Sequence, residues 1–408
     1  MTPDYDVVIV GGGLVGASLA VALAPTGLCI AVIEVVALGD VGQPSYDDRS
    51  VALTYGSRRI FEGMGVWPGI EARGVTPIHQ IHISERGQFG FVRLDRKTAG
   101  TEALGYVVEN RVVGESLLDA MRGFKNIRVI CPATMKELKV GSDAATVSIE
   151  AQGEKQELRS KLVVIADGGR SGAREKLGIA VRRVDYGQTA VVANVSIKNT
   201  HHNVAFERFT PCGPVALLPM AGKRYSLVWS VNPQDVDALF ALSNSEFLER
   251  LHSHFGDRLG PFLKVGKRSA YPLFLSQVDE HIQSRIALIG NAAHALHPVA
   301  GQGFNLGLRD VAVLAQVLCD GHGVGQDVGS SSLLGRYAQW RKHDHRMVTS
   351  FTDGLVRVFS NEFFPLTMVR NFGLIAVDIF PPLKRGLMRR TMGLSGKLPR
   401  LAQGLGLQ

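Results

Sequence analysis

Residues 290–310, GNAAHALHPVAGQGFNLGLRD, place two histidines and a run of glycines between two apolar segments. Residues 285–289 (RIALI) before them read as a short buried strand. Residues 306–318 (LGLRDVAVLAQVL) after them carry the apolar recurrence of a helix lying on a sheet. Pro298 stiffens the connecting loop, and Gly301 and Gly303 let its backbone come close to a ligand. A helix that opens straight from such a loop presents unpaired N–H groups and the positive end of its dipole. That suits a group that becomes anionic as it reacts; an ordinary tight strand-to-helix turn is the competing reading. His294 and His297 invite a catalytic base or a metal site. They stand in an apolar turn with no carboxylate at ligand spacing, so both are expected to be structural and no metal is expected.

A second constellation opens the chain. Residues 5–10 (YDVVIV) form a β-branched run leading into Gly11-Gly12-Gly13-Leu14-Val15-Gly16, a helix-like stretch, a second strand (CIAVI, 29–33) and then Glu34. This is strand, G-x-G-x-x-G, helix, strand, acid, the pattern of a dinucleotide site. Gly11 makes the turn, Gly13 admits the pyrophosphate, Gly16 lets the helix pack on the strand, and Glu34 accepts from the adenosine ribose. The pattern does not separate NAD from FAD. A third element, LVVIADGGRSGAR at 162–174, is a strand ending in Asp167-Gly168, where a plain turn competes with a functional one.

The elements that must hold these loops follow from the totals. At 408 residues the chain exceeds one ordinary core and suits two domains. Its 45% hydrophobic and 20% charged residues are those of a globular protein. The stretch 7–24 is broken by glycines and lacks a basic flank, which excludes a signal peptide or membrane span there. Four scattered cysteines without a CxxC pair point to reduced thiols in the cytoplasm. The net charge of +8 is concentrated late: Lys384, Arg385, Arg389, Arg390, Lys397 and Arg400 are followed by no acid. No nucleic-acid motif accompanies them, so an anionic membrane surface is the expected partner and nucleic acid is not.

GGGLVG with Glu34, ADGGRSGAR and HPVAGQGFNLGLRD stand in that order. The set resembles the FAD-dependent aromatic hydroxylases typified by p-hydroxybenzoate hydroxylase, and more narrowly the ubiquinone-biosynthesis hydroxylases. The run at 297–310 matches their H-P-hydrophobic-[AG]-G-Q-G-x-N-x-G-x-x-D pattern at every position. The resemblance extends from Asp4 to about Asp353. DDRSVAL at 47–53 is similar to the family's D-x-R-x-x-A-L, in which the arginine (here Arg49) approaches FAD. AFERFTPCGPVALL (205–218), SLVW (226–229) and GKRSAYPL (266–273) look like the branch acting on 2-octaprenyl-6-methoxyphenol. One position departs: Gly290-Asn291 replaces the usual Gly-Asp, which keeps an acceptor for a ribityl hydroxyl but removes its charge.

The resemblance implies an α/β fold: a Rossmann-type FAD domain (1–75, 100–182, 270–350), an inserted, mostly antiparallel substrate domain (76–99, 183–269) and a helical, basic tail (351–408). It implies FAD held by Gly11, Gly13, Leu14, Val15, Gly16, Glu34, Arg49, Arg111 (at the pyrophosphate), Asp167, Gly290 and Asn291. Pro298, Gly301, Gln302, Gly303, Phe304 and Asn305 would surround the flavin ring. It further implies NADPH or NADH as donor, a flavin C4a-hydroperoxide, and oxygen transfer from dioxygen to a polyprenyl phenol, giving a 1,4-benzoquinol. Another ring carbon or another phenol, an FAD-dependent prenyl reductase, and a flavin-bound scaffold among other ubiquinone-biosynthesis proteins are the rival readings. Val215, Leu217, Leu218 and Met220 are candidates for a prenyl channel, with core packing as the alternative. The apolar stretch 363–383 reads either as two helices packed on the FAD domain or as an interfacial segment on the inner face of the cytoplasmic membrane. No residue for the phenol's proton emerges from the sequence.

Overall fold

A computed structural model describes residues 3–37, 49–297, 301–359 and 363–407. Among these residues the strands form three sheets. The first is built on parallel strands in the order Ile286–Leu288, Glu154–Ile165, Tyr5–Val10, Ile30–Ile33, Ile127–Ile130. Where they are buried on both faces, at 7–10, 30–33, 162–165 and 286–288, these strands read as continuous apolar runs rather than as alternation. Helix Leu14–Leu23 packs on one face beside the long helix Gln302–His322, sharing a core with Ile9, Val164 and Leu314. The antiparallel strands Ala133–Val140 and Ala145–Ala151 extend from the Glu154–Ile165 strand.

The second sheet, of nine strands, is mostly antiparallel and centres on Val181–Ile197, Arg224–Val231 and Gly213–Met220. Period-two alternation gives it two unlike faces. Val191, Phe206, Val215, Leu217, Tyr225, Leu227 and Trp229 point outward, under helix Asn244–Phe255. Their alternates Val192, Ala216 and Val228 point to the first sheet. Val215 and Leu217 are therefore core residues of the outer face, not channel residues; Leu218 and Met220 pack with Ile78 and Val107.

Two expectations need correction. Strand Ser269–Val278, grouped with the nucleotide half from sequence, belongs to the second sheet, paired along Val181–Ile197. The two tail helices, Phe364–Ile379 and Pro381–Thr391, expected on the FAD domain or at a membrane interface, dock mainly on the second sheet. Arg370 pairs with Glu85, Asn371 Oδ1 accepts from Gly90 N at 2.8 Å, and Asp378 accepts from Arg93 N at 3.0 Å. Leu401, Ala402 and Leu407 then return to the nucleotide core. Tail residues are needed to complete both halves because each sheet leaves apolar surface that its own strands do not cover.

Candidate active site

A cavity of about 970 Å³ lies between the two sheets. One end is lined by Gly11, Gly13, Glu34, Val35 and Met135; it continues past Arg49, Asn110, Asp167, Arg170 and Asn291 to Phe304, Ala190, Val192, Ser226, Val228 and Tyr271. The glycine loop is shaped by contact with its own strand neighbours. Gly11 has φ +105°, and a Cβ there would lie 2.6 Å from Ala166 O. At Gly16 a Cβ would lie 1.9 Å from Gly11 O, so any side chain would force the helix off the strand. Glu34 is buried, with its carboxylate accepting from Gly12 N at 2.7 Å and Val36 N at 2.9 Å. Each oxygen retains a lone pair, so Glu34 both ties the loop and faces the cavity.

Asp167 sits where its strand ends: Oδ2 accepts from Ala173 N at 3.1 Å, while Oδ1 is buried with no partner among the described residues. Arg49 lies 5.2 Å over the Tyr271 ring, so a residue of the second sheet braces it. Arg111 departs from expectation. It pairs with Glu109 and Glu115, and Asn110 rather than Arg111 lines the cavity. Pro298 and the Asp47-Asp48 pair lie outside the described residues.

Helix Gln302–His322 opens from Gly301, whose φ of +59° is left-handed and whose side chain cannot cap. A Cβ on Gly303 would meet nothing within 4 Å among the described residues, so packing there does not require a glycine. Asn305 takes a role different from the one expected of its neighbours. Oδ1 accepts from Thr54 N (2.9 Å) and Ser57 Oγ (2.7 Å), while Nδ2 donates to Ala52 O and Gly301 O (2.8 and 2.6 Å). Its side chain is consumed in fixing the loop, and only its backbone remains for a ligand.

Eight residues after Gln302 comes a cluster that the sequence did not reveal. Asp310, fully buried, accepts from Gly290 N (3.2 Å), His294 Nε2 (2.6 Å), Arg341 Nε (2.7 Å) and His345 Nε2 (2.6 Å). His294 therefore has a carboxylate partner, contrary to the sequence reading; the fold brings it across sixteen residues. Burial alone would raise the Asp310 carboxyl, but His345, His294 and Arg341 outweigh it and hold it well below the usual range. Ligand atoms of His294, Asp310 and His345 converge within 4.8 Å. The Arg341 guanidinium bonds the same carboxylate oxygen as His345, placing positive charge where a cation would sit. The cluster ties the Gly290 turn to two helices. His297 bonds Gln188 Oε1 at 3.2 Å, and burial lowers its imidazole to about 4.

The FAD binding domain family matches residues 4–352. The ubiquinone hydroxylase UbiL of Rhodospirillum rubrum is 39% identical over 98% of this chain and 93% of its own length. The 3-demethoxyubiquinol 3-hydroxylase of Escherichia coli is 33% identical over 95% and 98%. The chain belongs to the ubiquinone-biosynthesis family of FAD-dependent hydroxylases. It is an FAD-dependent monooxygenase. Its fold matches that of p-nitrophenol 4-monooxygenase from Pseudomonas putida, with a TM-score of 0.80 at 21% identity, covering 97% of this chain and all of that one. FAD fits the cavity: the glycine cradle of Gly11 and Gly13, Glu34, Asp167 with its orphaned Oδ1, Asn291 and Phe304 line it together.

Proposed function

We propose that this enzyme hydroxylates a polyprenylated phenol of ubiquinone biosynthesis, 2-octaprenyl-6-methoxyphenol, to the 1,4-benzoquinol. NADH or NADPH supplies two electrons; one atom of dioxygen enters the ring and the other leaves as water. The observation that carries this reading is one unbroken cavity joining the glycine cradle to the apolar wall of Ala190, Val192 and Val228. When bound, FAD supplies the redox chemistry, taking hydride from the nicotinamide and delivering oxygen to the ring. The chain binds and orients it. Gly11, Gly13, Leu14, Val15 and Gly16 would hold the pyrophosphate, Glu34 the adenosine ribose, and Arg49, Asp167, Gly290 and Asn291 the middle of the molecule. The backbone of Gly301, Gln302, Gly303, Phe304 and Asn305 would meet the flavin ring, with Pro298 beside it and the helix dipole favouring negative charge there. The wall excludes water from the reacting ring.

Labelled dioxygen supplied to the purified enzyme with the phenol and NAD(P)H should appear in one hydroxyl of the product; none there refutes the reading. The name of the Escherichia coli relative favours a second reading, hydroxylation at another carbon. Lipid analysis of a deletion strain separates them, since the accumulating precursor identifies the missing position.

Contact with an anionic membrane is part of the proposal. No helix among the described residues is long and apolar enough to cross a membrane. Phe89, Phe363, Val369, Phe372, Ile379, Phe380 and Leu383 are nonetheless exposed beside Lys384, Arg385, Arg389 and Arg390. Because residues after Phe380 also build the cores, truncation would unfold the enzyme, and point changes are the test. Phe372→Ser with Ile379→Ser should weaken binding to anionic liposomes at least fivefold while FAD stays bound; unchanged binding refutes the contact.

A further inference from the structure

Glu207 lies in the middle of strand Val204–Thr210, where its neighbours in sequence are committed to other tasks. Phe206 joins the outer core, Arg208 lies over Phe255 on the same outer face, and Phe209 stacks on Phe359 at 3.8 Å. Glu207 shares the inner face with Phe209. Its registry fixes what stands beside it: Ile83 on one side, Ala216 on the other, then Val228, then Val192. Val228 and Val192 line the cavity, so this one cross-strand row carries the carboxyl toward the flavin end. At strand spacings of about 5 Å, Glu207 stands about 10 Å from Val228. Ala216, the residue between them, is small and only half-buried.

Glu207 is half-buried as a residue, and its Oε1 is buried with no hydrogen-bond partner among the described residues. A buried carboxyl without a partner is costly unless something outside the protein completes it. We propose that Glu207 is the catalytic residue that binds the substrate's phenol hydroxyl and accepts its proton. The substrate O–H bond breaks, a Glu207 O–H bond forms, and the electron pair stays on the ring oxygen. The ring then reacts as phenolate, the form more open to an electrophilic oxygen. The inference rests on the hydroxylase reading and supplies the proton acceptor that reading requires.

Burial raises the Glu207 carboxyl to about 8. An ordinary carboxyl lies roughly 6 units below a phenol at about 10; the raised value narrows the gap to about 2, which favours proton transfer. Other ionisable groups around this face are already engaged. Glu85 pairs with Arg370, Asp353 with Tyr186 and Arg357, and His297 with Gln188. Oxygen insertion should therefore rise as pH increases through about 8.

The test uses FAD-loaded full-length enzyme with 2-geranyl-6-methoxyphenol as probe, comparing wild type with Glu207→Gln, Glu207→Leu and Glu207→Asp. Flavin content and the rate of flavin reduction by NAD(P)H should stay within twofold. Hydroxylated product per nicotinamide oxidised should fall at least tenfold in the Gln and Leu variants, with hydrogen peroxide making up the difference. The rise through pH 8 should vanish in Glu207→Gln and persist, shifted, in Glu207→Asp. Wild-type product yield and pH profile in either the Gln or the Leu variant overturns the inference and leaves the hydroxylase reading standing. A wild-type enzyme that oxidises nicotinamide without forming product overturns the reading itself.

Discussion

The two ends of the cavity recognise their ligands by opposite means. At the nucleotide end the backbone does the work, and side chains such as Glu34 and Asn305 serve mainly to hold that backbone in place. At the sheet end the backbone is spent in strand pairing, and alternating side chains form the wall: small and apolar at Ala190, Val192 and Val228, with Ala216 and Glu207 further along the same cross-strand row. The difference teaches where change is tolerated. A backbone cradle fails when any side chain is added, whereas a wall can be recut without loss of the cofactor.

Adding a side chain to the cradle should have the largest effect. Gly16→Val puts carbon atoms where Gly11 O now stands, and the purified protein should lack flavin absorbance altogether. A yellow Gly16→Val enzyme would break the contrast. Next comes the Asp310 cluster, which supports the flavin end from behind. Asp310→Ala removes one of the two carboxylates that pair with the buried Arg341, leaving Asp344, and strips His294 and His345 of theirs; denaturant unfolding should show a loss of about 3 kcal/mol.

Acid should probe the same cluster more gently. His281 stacks on His345 with ring centroids 4.4 Å apart; burial lowers His281 to about 3 and His345 to about 4, against about 6.5 in an unfolded chain. Between those values the unfolded state binds more protons, so stability is present above pH 6.5 and is lost as pH falls toward 4. Asp310, whose carboxyl is depressed, adds to the loss only at lower pH. Thermal melts should show a Tm that drops across pH 6.5 to 4, less steeply in His281→Phe; a flat profile would mean these rings are solvated. The smallest effect on stability belongs to the wall. Val228→Ala removes two methyl groups beside existing space, costing about 1 kcal/mol or less, and should raise the KM for the phenol while leaving the affinity for FAD unchanged. Weakened FAD binding in that variant would erase the distinction between the two ends.

How much of this was legible beforehand follows the same division. The turn at Gly11, the close packing at Gly16 and the acid at Glu34 could be read because a backbone cradle leaves glycines and an acid at short, fixed spacing. The wall could not, since its members come from separate strands and look like any β-branched alternation. Arg111 suggested itself by its place at a helix start, and the structure adds what spacing could not show, its ion pairs with Glu109 and Glu115.

By itself, then, the chain of residues determined the nucleotide-binding architecture and the apolar character of the tail, which follow from local spacing and period, while FAD was implied only through the family resemblance that its motifs carry. Only the tertiary structure decided that Asp310 gathers His294, Arg341 and His345, that the tail completes both cores, and that Glu207 is left unpaired on the row of Val192 and Val228. Those facts depend on strand registry and on contacts between distant segments, where a single-residue slip would turn the carboxyl to the opposite face.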